Sequence, residues 1–209
     1  MADLVLDWGA LGAYGYNLED TASDGVTTSV DTGGVAVDIT FTAQDAEAQA
    51  FTVNYDGYVP EGSEVDPNSH LKLFGEGGDG DGTVSSTSTF FFNDTATTEI
   101  YTDNVQNVSF LLNDVDAGTG SDLGDLAEYA NGGAGGGFSW EDNVTVLAYD
   151  AEGNPIEVTM TPLGTEATVT GDTATGTDTT SFAEQNGTVQ VSIAGPVSRI
   201  EIVYENGGN

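Results

Sequence analysis

The chain of 209 residues contains no cysteine, which removes disulfides, thiol nucleophiles and zinc–thiolate sites from consideration. It has only two cations, Lys72 and Arg199, against 35 Asp and Glu, for a formal charge of −33. Nucleic-acid binding needs a cationic footprint that displaces counterions from phosphates, and two cations cannot form one. The same deficit excludes attraction to an anionic membrane surface. Histidine occurs once, as His70, and no G-x-S-x-G elbow is present, so nothing specific supports a Ser–His–Asp triad. No apolar run approaches the roughly 20 residues of a membrane-spanning helix. The opening MADLVLDWGALG lacks the basic and apolar regions of a secretory signal peptide. The expectation is a soluble protein with no membrane insertion and no nucleic-acid partner.

What the chain does have is acid, glycine and short alternating apolar runs. Like charge at this density destabilises a compact state unless salt screens it or bound cations neutralise it, which points to saline surroundings, to calcium, or to both. Apolar residues recur with period 2 at Val35 to Phe41, Phe51 to Tyr55, Val144 to Ala148, Ile156 to Met160, Val189 to Ile193 and Ile200 to Tyr204. Such runs, bounded by Gly, Asp, Asn and Thr, are the mark of half-buried strands. With Leu4 to Trp8 and Leu71 to Phe74, about ten strands follow, and residues 165–180 are expected to hold an edge strand. Only residues 121–130 have helical spacing, so at most one short helix is expected. The predicted fold class is all-β: one jelly-roll-like antiparallel β-sandwich over residues 1–209. Residues 150–154 (DAEGN) read as a hairpin turn in which Gly153 is free to take positive φ. The segment FFFNDTATTEIYT (residues 90–102) resembles the conceptual translation of a sequencing-library adapter, and no chemistry is assigned to its Asp94 or Glu99.

Chemistry concentrates where two strands flank acids. Asp114 and Asp116 close the first strand and Glu141 and Asp142 open the second. Calcium takes six to eight oxygens from carboxylates, carbonyls and water. In an extended strand Asp114 and Asp116 point to one side and Val115 to the core, so Asp114, Asp116, Asp142 and Glu141 are the expected Ca2+ ligands. Asp114, Asp116, Asp122 and Asp125 also fall at positions 1, 3, 9 and 12 of a calcium-loop count, although Gly118 comes one residue early for an EF-hand. The alternative is that these carboxylates simply face water at strand ends. Paired carboxylates can hydrolyse glycosides, but in so acidic a chain their presence discriminates nothing, and no catalytic residues are assigned. Trp8, Trp140, Tyr14, Tyr16, Tyr55 and Tyr58 are the aromatics that could stack on sugar rings, set against ordinary packing.

Three patterns occur together: V-x-N-V-S-F-x-x-x-D-x-D at residues 105–116, W-x-D-x-V-T-V-x-A-x-D-x-x-G-N at 140–154, and G-P-V-S-x-I-x-I-x-Y at 195–204. Together they resemble a β-sandwich domain of large type-I-secreted surface proteins of marine proteobacteria, often found beside calcium-binding β-roll repeats or Hint domains. The resemblance implies a non-catalytic module, secreted or at the cell surface, with a structural calcium on Asp114, Asp116 and Asp142. The chain departs from that pattern in lacking the repeats and a Hint partner. The expected function is therefore an extracellular structural or adhesive module, with a glycan, a surface protein or a second copy as partner. The alternative is a carbohydrate-binding module using exposed aromatics.

Overall fold

The structure, a computed structural model, describes residues 8–12, 15–16, 18, 28–31, 36–43, 49–53, 70–74, 95–119, 139–180 and 185–206. Within them the chain is all-β with antiparallel sheets, as the period-2 runs require. The strands are β1 (Thr28–Asp31), β2 (Ala36–Ala43), β3 (Gln49–Val53), β4 (His70–Phe74), β5 (Thr95–Val105), β6 (Val108–Leu112) and β7 (Ala117–Thr119). They continue with β8 (Ser139–Tyr149), β9 (Pro155–Ile156), β10 (Val158–Pro162), β11 (Ala167–Thr170), β12 (Thr173–Gly176), β13 (Val189–Ile193) and β14 (Val197–Asn206).

The large sheet runs β1-β2-β5-β14-β8-β12-β11, with β7 and β9 also pairing with β8. A three-stranded sheet has the order β10-β13-β6, and β3 pairs with β4. Strand alternation explains how the sheets join. On β8, Val144, Val146 and Ala148 are buried, and β14 sets Ile202 opposite Val146 and Ile200 opposite Ala148. From the smaller sheet come Val158, Met160, Val189, Val191 and Ile193, which share one apolar cluster with those residues and with Ile39 and Phe41 of β2. Each such side chain contributes about 1.5–3 kcal/mol on burial, so this shared interior is what fixes the register of β8 and β14.

Several expectations are resolved in detail. Residues 165–180 hold two strands, β11 and β12, of which β11 is the last strand of the large sheet. Trp8 does not end a strand: Trp8–Ala10 forms a 3-10 turn, and Leu4 to Asp7 lie outside the described residues, as do the predicted helix at 121–130 and residues 75–94. The adapter-like segment largely coincides with β5, which lies between β2 and β14 and buries Ile100. The hairpin at 150–154 is present. Gly153 has φ +80, and the Asp150 carboxylate accepts from the Glu152 and Asn154 backbone N–H groups at 3.0 and 2.7 Å and from Asn154 Nδ2 at 2.9 Å.

Candidate functional site

The acids singled out by sequence lie where the turn after β6 meets the start of β8. The chain leaves β6 at Leu112, and Asp114 takes φ +61, the left-handed region that aspartate tolerates better than most residues. This breaks the extended alternation expected across Asp114, Val115 and Asp116. Val115 enters the core as expected, but Asp116 is buried with it, at 8% exposure. The Val115 N–H donates to the Gly187 carbonyl at 3.0 Å and the Ala117 N–H to the Asp178 carbonyl at 3.1 Å. β6 itself pairs with β13 and not with β8; it is the short β7 that runs beside β8, with Ala117 opposite Glu141.

Glycine permits the close approach at this corner. A Cβ on Gly176 would lie 2.0 Å from the Asp116 carbonyl oxygen, and one on Gly187 would lie 2.8 Å from that of Val115. Asp116 is thus held between Asp142 of β8 and the segment that follows β12. Its carbonyl accepts from the Asp142 N–H at 2.9 Å. Its Oδ2 accepts from the Thr180 N–H at 2.9 Å.

Asp142 occupies the end of the inward stripe that continues through Val144, Val146 and Ala148. Both of its oxygens accept hydrogen bonds: Oδ1 from the Tyr204 hydroxyl at 2.8 Å, and Oδ2 from the Asp116 N–H at 3.2 Å. The residue is half-buried as a whole, but its carboxylate is desolvated. Burial pushes the carboxyl up from 3.8 to about 7, the bonds from Tyr204 and the Asp116 backbone pull it down, and the charges of Asp116 and Asp114 raise it further. Asp142 therefore holds a proton over much of the acidic range.

Glu141 does not join this group. Successive residues of a strand point to opposite faces, and the Glu141 carboxylate accepts instead from Asn143 Nδ2 at 3.3 Å on the outer face of β8. Asp114, Asp116 and Asp142 are near enough to interact electrostatically. Yet among the described residues no group of three or more His, Cys, Asp or Glu is arranged to hold a metal ion. The Asp142 and Asp116 carboxylates already accept from Tyr204, the Asp116 N–H and the Thr180 N–H, and each of those oxygens keeps a second lone pair that can face a cation. Asp122 and Asp125 lie outside the described residues.

Residues that the sequence reading passed over complete the corner. The Thr180 hydroxyl donates to Glu166 Oε2, and Asn186 Nδ2 donates to Glu166 Oε1 at 3.4 Å. Thr188 Oγ1 donates to Asn113 Oδ1 at 3.3 Å. Tyr204 had a visible signal, as the last inward position of an alternating strand. Glu166 and Thr180 had none. Of the aromatics, Trp8 packs partly buried against the core and Tyr16 is 43% exposed. Trp140 lies opposite Gly118 in the β7–β8 pairing, and Tyr14, Tyr55 and Tyr58 lie outside the described residues. His70 is the first residue of β4, opposite Val53.

The chain matches no family model, and neither the curated proteins nor the solved structures include a match to it.

Proposed function

We propose that this chain is a non-catalytic structural or adhesive module that works outside the cell, with the Asp116–Asp142 corner as an internal strut. The observation that carries this reading is the orientation of Asp142: its carboxylate turns inward, and its two oxygens accept from Tyr204 of β14 and from the Asp116 backbone beside β7. A carboxylate held in this way joins strands rather than meeting a substrate. The three-part resemblance to type-I-secreted surface proteins supports the extracellular setting, and the charge of −33 suits saline surroundings and opposes non-specific association.

A second reading, calcium bracing by the same corner, is favoured by one observation. Burial and the charges of Asp114 and Asp116 together oppose ionisation of Asp142, and a divalent cation would relieve that. Thermal melts of the intact chain at matched ionic strength decide between them. The strut predicts equal midpoints in calcium, magnesium and chelator; a midpoint raised by calcium alone establishes the second reading. Turnover of any polysaccharide, abolished by substitution of one carboxylate, would overturn the non-catalytic assignment itself.

A further inference from the structure

The outer face of the large sheet carries a feature that the acidic corner does not explain. Strand alternation buries Val144 and Val146 of β8, Ala174 of β12 and Ala167 of β11, so the intervening residues form the opposite face. The pairing sets Thr168 opposite Thr175 and Thr175 opposite Asn143 in one row, and Thr170 opposite Thr173 and Thr173 opposite Thr145 in the next. The result is a block two residues deep across three neighbouring strands, roughly 10 Å wide and 7 Å deep from the usual strand spacing and rise. It is uncharged throughout. The Thr145 and Thr173 hydroxyls lie 2.7 Å apart, and the Thr175 hydroxyl donates to Asn143 Oδ1 at 2.8 Å. Thr168 and Thr170 are exposed, and the other four positions retain partial access to solvent.

We propose that this threonine block is the contact surface for a neutral polysaccharide, a proposal that rests on reading the chain as a non-catalytic adhesive module. Charge selects the occupant. Glu141 lies along β8 beside the block and Glu205 stands opposite Asn143 on β14, so the block is a neutral window in a strongly anionic molecule. An anionic polymer, or a second copy carrying its own −33, meets repulsion at that border. An apolar partner would strip water from the exposed Thr168 and Thr170 hydroxyls and offer them no hydrogen bonds in return. A neutral glycan supplies donors and acceptors for those groups, and C–H faces for the threonine methyls. The contact surface is therefore hydroxyl-based, in place of the aromatic platform that a stacking site would need.

The test is affinity electrophoresis of the intact chain through gels holding dextran, galactomannan or laminarin, with alginate as the anionic control, together with pull-down on insoluble cellulose. Retention by at least one neutral polymer, none by alginate, and no dependence on chelator is the expected result. Thr168→Glu with Thr170→Glu, both at exposed positions of the last strand, should weaken retention about tenfold or more by placing charge in the window, with the circular dichroism spectrum unchanged. Thr173→Val keeps the β-branched shape and should also weaken it. The proposal is overturned if no neutral polymer retards the protein, or if the folded double variant is retained like the parent. It is equally overturned if the chain sediments as a dimer that the double variant dissociates, since the occupant would then be a second copy. Polysaccharide turnover would instead overturn the non-catalytic reading, so the two failures are distinguishable.

Discussion

Replacing Asp142 with asparagine should make the protein more stable at pH 8 and alter it little at pH 4. The carboxyl is raised from 3.8 to about 7 in the folded chain, so between those values the folded state holds a proton that the unfolded state has released. Stability from this group is therefore fully present below about pH 3.8 and is lost as pH rises through about 7. A shift of about three units at 1.36 kcal/mol each sets a ceiling of about 4 kcal/mol. Because the residue keeps some solvent contact, about 2–3 kcal/mol is the expected size. Asparagine preserves the connections: its oxygen accepts from the Asp116 N–H and its amide donates to the Tyr204 oxygen. Urea denaturation of both proteins at several pH values between 4 and 8 gives the difference in unfolding free energy. The other carboxylates cancel in that difference, provided they titrate alike in the two proteins. The difference should grow in favour of Asp142→Asn as pH rises. A pH-independent difference would refute the reasoning. The opposite slope would mean that the carboxylate is ionised and engaged at neutral pH, which is the behaviour of a cation ligand.

Further outcomes follow from the same geometry. Tyr204→Phe removes the hydroxyl that pulls the Asp142 carboxyl down, so the pH window of the wild type should move upward in that variant, read from the same denaturation series. Gly176→Ala places a methyl 2.0 Å from the Asp116 carbonyl oxygen and should cost about 3 kcal/mol or more, since backbone must move. Gly171→Ala meets nothing within 4 Å and should cost only about 1–2 kcal/mol for its φ of +62. Raising salt from about 0.01 M to 0.15 M shortens the screening length from about 30 to 8 Å and should raise the melting midpoint, sodium and potassium acting alike.

The architecture was legible because the alternating runs are long enough to fix which face is buried. Val144 to Ala148 and Val189 to Ile193 form strands where periodicity places them, and Gly153 turns the hairpin as its sequence requires. β7 and the two strands within residues 165–180 were harder to read, since three or four residues rich in Gly, Ala and Thr give little periodic signal. At the corner, Asp114, Asp116 and Asp142 are brought together, but by a route that extended geometry could not supply. The positive φ of Asp114 turns Asp116 inward, and strand parity sends Glu141 to the other face. The burial of Asp142 depends on Tyr204 and Asp116, residues 62 and 26 positions away, and such distances leave no mark in local sequence.

Asp150, at the other end of β8, is the natural control for the corner. It sits in a surface turn, where hydrogen bonds from Asn154, Glu152 and Gly153 hold its carboxyl below the usual aspartate value. The sign is therefore reversed: the contribution of Asp150 is present above the ordinary aspartate pKa and is lost as pH falls through the depressed folded value. Asp150→Ala should lower the melting midpoint at pH 7, because the turn loses its acceptor, and the gap from wild type should close as the solution is acidified below pH 4. Asp142→Asn should show its gap at high pH, with opposite sign. If both variants responded to pH in the same direction, a general charge effect of removing one acid from an overcharged chain would account for them, and neither hydrogen-bond geometry would be needed.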